Sequence, residues 1–254
     1  MERRIASKKN VLLRIANCGE SNSGKTFSAS IIASVINDGM KGVTIIDTEN
    51  RADLYSEHFP GATVKQIPPP FDPEKLIEAL AECAKLGDKF VIVDSASDFW
   101  DRTVQIHGDI VGTNRKIAYY AWSKVTPRWD ALRAAITNAP FHIITCWRMK
   151  DKLVNKDGEM VVEGQRVVSR GGSKGIKYDY HIAFIINDKH QALVGKDNLH
   201  LFSDWKEPRV IDKAVAEQIK SWIKQEQKPN NKGVQNERSK QSDSIGETGP
   251  GPRA

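Results

Sequence analysis

The chain has 254 residues, enough for one large domain with a sizeable core. A hydrophobic fraction of 39% excludes wholesale disorder, collagen and coiled coil as structural classes. The apolar runs are strand-sized and fall well short of the roughly 20 residues that cross a bilayer. We therefore expect a soluble protein of the cytoplasm without a membrane partner. The net charge of +6 permits nucleic acid as a partner but does not identify it.

The cysteines are Cys18, Cys83 and Cys146, an odd number with no CxxC spacing. This pattern argues against both a disulfide framework and a zinc knuckle. All three lie in apolar segments, so we expect buried free thiols.

Up to Arg148 the chain alternates apolar, strand-sized runs with segments of helical spacing. Strands are predicted at residues 11–18, 43–47, 90–94 and 141–147, and helices at 25–37, 73–86 and 116–138, the last divided at Pro127. The strands are apolar throughout, which is typical of a parallel sheet covered by helices on both faces. The alternation therefore predicts an α/β fold.

After Arg148 the pattern changes. Residues 152–168 predict a β-hairpin with its turn at 155–158, and residues 169–175 predict a flexible basic loop. Two short strands, at 180–186 and 191–194, are expected to pair antiparallel, and 211–224 has the spacing of an amphipathic helix. We divide the chain into an N-terminal arm (1–10), a core (11–210), a C-terminal helix (211–227) and a polar, disordered tail (228–254).

Residues 19–26, GESNSGKT, match the phosphate-loop pattern GxxxxGK[ST] between a predicted strand and a predicted helix. Glycines let backbone N–H groups turn toward one point, and the helix start adds a positive field there. Lys25 would reach the β- and γ-phosphates of ATP, and the Thr26 hydroxyl would bind Mg²⁺. The predicted nucleotide-binding residues are Gly19, Ser21, Asn22, Ser23, Gly24, Lys25, Thr26 and Phe27. The alternative is a glycine-rich turn that precedes Lys-Thr by chance.

Two carboxylates follow predicted strands. Asp94 ends the apolar run 90–93, the Walker B pattern, and would hold Mg²⁺ together with Thr26. Glu49 lies just past the strand 43–47, at the same rim of the sheet, where a carboxylate could orient or deprotonate the attacking water. Each has an ordinary alternative, because any strand can end in aspartate and Glu49 could be a solvated loop acid.

Taken in chain order, these motifs resemble those of the RecA-type ATPase core. They are most similar to RecA-like "AAA-domain" nucleotide-binding proteins of phages and prokaryotes, some of which are single-strand annealing recombinases. The resemblance covers roughly residues 8–205 and rests on residues 19–26, on IIDTE (45–49), on VIVDS (91–95) and on HIITCWRMK (142–150). It implies a RecA-like fold, and it implies that Glu49 is the catalytic base.

The resemblance also implies a polar sensor at the end of the fourth strand and a following segment that binds single-stranded DNA. The sensor position here is Cys146, which cannot donate like an amide, and Arg148 is the candidate replacement. The predicted catalytic residues are thus Lys25, Glu49 and Arg148. No counterpart of the large C-terminal domain of bacterial RecA is present, and for a phage protein the expected location is the host cytoplasm.

Cations are dense between the fourth and fifth strands, where glycines suggest mobility. The predicted DNA-binding residues are Arg148, Lys150, Lys152, Arg166, Arg170, Lys174 and Lys177. The alternative is a solvated hairpin of mixed charge, because Asp157, Glu159 and Glu163 lie in the same region. A second candidate surface mixes cations with aromatic rings at Arg102, Arg115, Lys116, Tyr119, Tyr120 and Trp122.

Three functions remain open. The first is an ATP-driven protein that acts on single-stranded DNA in recombination, annealing or repair, as a ring or filament of identical subunits and with a single-strand-binding protein as a further candidate partner. The second is a helicase or helicase loader of the same core class. The third, a small-molecule kinase or GTPase, is disfavoured because residues 187–190, NDKH, are not the guanine motif NKxD and no arginine-rich lid is evident.

Overall fold

Residues 7–156 and 159–224 are described by the computed structural model, apart from the side chains of Lys9, Ser173, Lys174, Ile176 and Lys177. The strands are β1 (Arg14–Gly19), β2 (Val43–Asp47), β3 (Thr63–Gln66), β4 (Phe90–Asp94), β5 (His142–Lys156), β6 (Glu159–Val167), β7 (Ile182–Ile186), β8 (Gln191–Asp197) and β9 (Arg209–Val210). The helices are α1 (Lys25–Ile36), α2 (Pro73–Leu86), α3 (Ser97–Val111), α4 (Ala118–Thr137), α5 (Gly172–Asp179) and α6 (Lys213–Lys224).

One sheet organises the described residues, in the order β3-β2-β4-β5-β1-β7-β8-β9, with β6 paired to the distal part of β5. The strands from β3 to β7 in this order run parallel, whereas β8, β9 and β6 pair antiparallel with their neighbours. The predicted α/β fold is therefore confirmed, as are the β-hairpin and the antiparallel C-terminal strands.

Two apolar cores lie on opposite faces of the sheet, and neighbouring residues of one strand point into different cores. Ile15 packs with residues of α1 and α6, whereas Ala16 packs with residues of α2, α3 and α4. In the same way, Ile92 lies in the first core and Val93 in the second. This double burial explains why the central strands are apolar at every position rather than at alternate ones.

The prediction that Pro127 divides the helical segment 116–138 was wrong. The helix α4 is continuous from Ala118 to Thr137 with the proline inside it. An interior proline costs a helix about 3 kcal/mol, but α4 buries a stripe on both sides of it, including Val125, Trp129 and Leu132. Burial of side chains of this size stabilises by about 1.5–3 kcal/mol each, so packing outweighs the proline.

The predicted flexible loop at 169–175 was also wrong in part, because α5 begins at Gly172. The guanidinium of Arg133 binds both carboxylate oxygens of Asp179, at 2.5 and 2.8 Å, and thereby fixes the last residue of α5 to α4. Tyr180 follows it and is buried, with its hydroxyl accepting from Thr145 at 2.7 Å. These contacts order a segment whose glycines favoured a loop.

Among the elements that were not predicted from the sequence are α3 and β3. The helix α3 was missed although Phe99, Thr103, Ile106 and Ile110 have helical spacing, and its buried residues are Ser97, Phe99 and Thr103. The edge strand β3 is short and partly exposed. Residues 157–158 of the predicted hairpin turn, residues 1–6 of the predicted arm and the predicted tail lie outside the described residues, and the domain boundaries stay a prediction.

Cys18, Cys83 and Cys146 are free and buried, as predicted. In the described part of the chain, none of the helices combines the length and apolar character needed to cross a membrane.

Candidate nucleotide site

The carboxyl ends of β1, β2, β4, β5 and β7 meet at one edge of the sheet, where ligands bind in open α/β folds. A cavity of about 380 Å³ opens at this edge. Its walls include Lys25 and Thr26 from the start of α1, Glu49 from the loop after β2, Asp94 from the end of β4 and Arg148 from β5. The fold thus brings together the predicted catalytic and metal-binding residues.

The loop between β1 and α1 has the geometry of a phosphate loop. Asn22 and Gly24 are in the left-handed region, with φ of 63° and 86°, and α1 begins at the next residue. Such turns direct successive N–H groups into one concavity at the positive end of a helix. Gly19 is required for packing, because a Cβ there would clash with the Ser23 side chain and stand 2.5 Å from the Ile186 carbonyl oxygen.

The predicted nucleotide-binding residues divide into two groups. Those that line the cavity are Ser21, Asn22, Gly24, Lys25, Thr26 and Phe27. Ser23, in contrast, is buried below the loop, and Gly19 is the last residue of β1. From underneath, the Asn17 amide donates to the Lys25 carbonyl oxygen at 3.0 Å and supports the start of α1.

Lys25 is 8% exposed, and its ammonium donates to the Glu20 carbonyl oxygen at 2.5 Å. Among the described residues it forms no ion pair, so its charge is available to an anion in the cavity. The Glu20 carboxylate in turn accepts a hydrogen bond from the Gln165 amide of β6. The phosphate loop is therefore in direct contact with the hairpin β5–β6.

Thr26 donates its hydroxyl hydrogen bond to the Asp94 carboxylate at 2.5 Å. Asp94 is 6% exposed, and burial raises its pKa to about 6, against the lowering effect of Thr26. A cation beside this buried carboxylate would stabilise its charged form. The described residues contain no cluster of three or more His, Cys, Asp or Glu that could hold a metal. Mg²⁺ fits the pair nevertheless, because it keeps water and phosphate oxygens as its other ligands.

Asp47, the last residue of β2, and Glu49, two residues later, have different roles in the structure. The Asp47 carboxylate accepts hydrogen bonds from the N–H groups of Glu49, Arg51 and Ala52, each at 2.8 Å, and so fixes the loop. The Glu49 side chain lines the cavity, 3.5 Å from the Arg51 guanidinium. Glu49 is near enough to Asp94 for its charge to contribute to the raised pKa of that group.

Arg148, rather than Cys146, is the residue of β5 that lines the cavity. Its guanidinium lies 2.6 Å from a carboxylate oxygen of Asp98 and 2.8 Å from one of Asp101, both on α3. Cys146 is fully buried, and burial raises the pKa of its thiol. Arg148 therefore reaches the cavity from β5, and its role as a replacement for the polar sensor stays a prediction.

The other end of the cavity is mostly apolar. Phe27, Ile31 and Tyr55 line it, and the Phe27 ring meets Tyr55 edge-on at 6.0 Å between centroids. His190, beside the loop, and Val210 and Ile211 also line the cavity, and the sequence analysis missed all three. The sequence could have indicated His190, because this residue follows β7, a strand that ends at the same edge of the sheet as the phosphate loop. No sequence pattern indicated Val210 or Ile211.

The predicted DNA-binding cations differ in their surroundings. Lys152 pairs with Glu163, and Arg170 lies 2.7 Å from Asp130, whereas the side chains of Lys174 and Lys177 are not described. Lys150 and Arg166 are directly opposed across the hairpin, and the described residues offer neither of them a carboxylate partner. Like charges in this arrangement repel each other unless an anion joins them.

The second candidate surface is only partly available. Trp122 stacks on His107, at 4.1 Å between centroids, and on Trp100, at 6.0 Å. Tyr119 and Tyr120, by contrast, are 90% and 56% exposed. The Tyr119 ring is therefore exposed at this surface, whereas the Lys124 ammonium lies over the Tyr120 ring, 5.3 Å from its centroid. The tryptophan is used in packing.

A solved structure and a family model are similar to this chain. The chain is similar over 78% of its length to 81% of a KaiC-like protein from the hyperthermophilic archaeon Pyrococcus horikoshii, with 12% identity and a TM-score of 0.43. No curated protein matches it. The model of the AAA domain family matches residues 12–192, which include the phosphate loop, Glu49, Asp94 and Arg148. The chain therefore belongs to the AAA domain family, as a P-loop ATPase.

Proposed function

We propose that the protein binds Mg·ATP in the cavity at the carboxyl edge, hydrolyses it, and uses the cycle to bind single-stranded DNA in recombination, annealing or repair of the phage type. The observation that carries the proposal is the convergence of Lys25, Thr26, Asp94 and Glu49 on one cavity. In this arrangement one cation, one hydroxyl and two carboxylates face the same space, as transfer of a phosphoryl group to water requires.

Each group has a definite task. The N–H groups of the loop and the Lys25 ammonium bind the phosphates, once the ammonium leaves the Glu20 carbonyl. Thr26 and Asp94 would hold Mg²⁺, which would supply positive charge close to the bound phosphates. Glu49 orients a water molecule and accepts its proton as the new bond to γ-phosphorus forms and the bond to the ADP oxygen breaks. The products are ADP and inorganic phosphate.

The DNA-binding part of the proposal rests on the hairpin β5–β6. Lys150 and Arg166 offer two adjacent positive charges that a phosphate backbone would satisfy. The exposed rings of Tyr119 and Tyr120, near the exposed Arg115 and Lys116, offer bases a surface for stacking. Assembly as a ring or filament, with Arg148 sensing the γ-phosphate and with a single-strand-binding protein as partner, belongs to the same proposal.

The test is fluorescence anisotropy of a labelled single-stranded oligonucleotide with Mg²⁺ and either no nucleotide, ADP or a slowly hydrolysed ATP analogue. We expect salt-sensitive binding that is tightest with the analogue. The double variant Lys150→Ala, Arg166→Ala should weaken binding on the order of tenfold and reduce the salt slope by roughly 1. Nucleotide affinity should be unchanged.

The matched control is Lys41→Ala, Lys85→Ala, which removes the same charge from exposed positions at the opposite edge of the sheet. If the control weakens binding as much as the hairpin variant does, the effect is one of net charge and the assignment to the hairpin is wrong. Absence of salt-sensitive binding under every nucleotide condition would refute the DNA-linked function altogether.

A further inference from the structure

The turn between β7 and β8 lies beside the phosphate loop, because β7 is the neighbour of β1. His190, in this turn, places its imidazole against the loop glycine: a Cβ on Gly24 would stand 3.2 Å from Nδ1 of the ring. The histidine also lines the nucleotide cavity. The His190 imidazole thus lies between the phosphate loop and apolar residues that line the cavity.

The turn holds His190 in a fixed and unusual conformation. Its φ is 60°, in the left-handed region that non-glycine residues seldom adopt. The Asn187 side chain accepts hydrogen bonds from the N–H groups of Lys189 and Gln191, at 3.0 and 2.9 Å, and the N–H of His190 donates to the Asn187 carbonyl oxygen at 3.1 Å. These hydrogen bonds fix the backbone of the turn, from which the imidazole extends toward Gly24.

The ring nitrogens themselves have no hydrogen-bond partner among the described residues, and the residue is exposed. Its neighbours on this wall, Val210 and Ile211, are hydrocarbon, as is Ile31 across the cavity. An imidazole always carries at least one N–H donor. On this wall, a ligand that enters the cavity meets that donor among apolar side chains.

We infer that His190 is a nucleotide-contacting residue that donates a hydrogen bond to an oxygen of the bound nucleotide, on the ribose or on the phosphate chain. The inference rests on the proposed nucleotide site and assigns it a contact outside the phosphate loop. The competing explanation is that the ring merely covers Gly24 as a packing surface, in which case its nitrogens are irrelevant.

Substitutions that keep either the hydrogen-bond donor or the flat ring distinguish the two explanations. His190→Asn retains a donor and tolerates a left-handed backbone, His190→Phe retains a flat ring without a donor, and His190→Ala retains neither. Affinity for Mg·ADP, measured by calorimetry, should fall roughly tenfold in the alanine and phenylalanine variants. In the asparagine variant it should recover to within about threefold of the original protein.

The matched control is His200→Ala. His200 is also exposed and also has a left-handed backbone, with φ of 57°, but it lies away from the cavity. Its removal should leave Mg·ADP affinity unchanged, and urea unfolding of every variant should show that the fold is retained. Titration with inorganic tripolyphosphate locates the contact: a loss shared with ADP indicates the phosphate chain, and a loss confined to ADP indicates the ribose.

Unchanged affinity in His190→Ala, or normal affinity in His190→Phe with weak affinity in His190→Asn, would overturn the inference. Both results leave the proposed function standing, because the original protein still binds Mg·ADP. If the original protein itself fails to bind Mg·ADP, the proposed function falls and this inference with it.

Discussion

The two edges of the sheet both bury charged or ionisable groups, but in different circumstances. At the amino edge, Arg14 is 4% exposed, and the half-buried His142 and His181 lie beside it. At the carboxyl edge, Lys25 and Asp94 are buried to a similar degree. Burial of charge alone, therefore, does not mark the functional edge.

The two edges differ in the hydrogen-bond partners of these groups. The Arg14 guanidinium donates to five backbone carbonyl oxygens, those of Leu12, Leu13, Thr137, Ala139 and Phe141, at 2.5–3.2 Å. Nδ1 of His142 and Nδ1 of His181 accept the N–H groups of Leu13 and Arg14, at 2.9 and 3.0 Å. Every partner is part of the fold, whereas Lys25, Glu49 and Asp94 face a cavity. The comparison predicts that changes at the carboxyl edge affect activity and changes at the amino edge affect stability.

The largest expected effect is on turnover. Glu49→Gln should lower ATP hydrolysis by roughly 100- to 10,000-fold, because an amide cannot accept the proton of the attacking water. Affinity for Mg·ATP should remain within a few fold, since Glu49 contacts the water rather than the phosphates. Phosphate release and calorimetric binding measure the two quantities, with the exposed Glu57→Gln as control. Unchanged turnover would exclude Glu49 as the base.

The next effect is on binding at the same edge. Lys25→Ala should weaken Mg·ATP binding by at least about 30-fold, because it removes a buried charge that meets the phosphates. The free energy of unfolding without nucleotide should change little, since the ammonium contacts only the Glu20 carbonyl in the described structure. A variant that binds Mg·ATP normally would show that the loop does not bind the triphosphate.

A change at the amino edge should have the opposite signature. Arg14→Ala leaves several carbonyl oxygens without a donor, and the free energy of unfolding should fall by about 3 kcal/mol in urea denaturation. The control is Arg128→Ala, which breaks a partly exposed ion pair with Glu74 and should cost less than about 1 kcal/mol. If the Arg14→Ala variant is folded under the assay conditions and still loses ATP binding, the division between the two edges is wrong.

The smallest effect concerns pH. Burial lowers the pKa of His142 from 6.5 to about 4. Between these values the unfolded chain binds the proton and the folded protein does not, so stability contributed by the neutral ring is complete above pH 6.5 and is lost as pH falls toward 4. Over pH 7 to 4.5 this amounts to about 2 kcal/mol.

Urea denaturation of His142→Asn across the same range tests this expectation. The amide oxygen can still accept the Leu13 N–H but does not titrate, so the stability curve of the variant should be flatter than that of the original protein by about that amount. A curve of equal slope would mean that other groups, such as Asp94, whose raised pKa acts in the opposite direction, govern the pH dependence.

The sequence predicted the elements whose local pattern and tertiary environment agree. The strands 43–47 and 90–94 were predicted with their observed bounds, because both faces of each are covered and their residues are apolar apart from Thr44 and the terminal aspartates. The phosphate loop was recognisable because its conformation depends on its own glycines. The continuity of α4 was not predictable, because it depends on packing against α2 and α3 that no local pattern records.

The same contrast holds within the cavity. Lys25, Glu49 and Asp94 could be predicted because parallel strands bring their carboxyl ends to one edge. Val210 and Ile211 could not, since they reach the cavity through the pairing of β9 with β8 at the far side of the sheet. The partners of Arg148 were also missed, because they lie on α3, a helix that the sequence analysis did not predict.

Glu20 links two regions of the molecule. Its carbonyl oxygen accepts a hydrogen bond from the Lys25 ammonium, and its carboxylate accepts one from Gln165, whose next residue along β6 is Arg166. Through its main chain and its side chain, one residue thus connects the phosphate loop to the hairpin β5–β6. Two hydrogen bonds and a single amino acid separate the buried ammonium from the strand that carries Arg166.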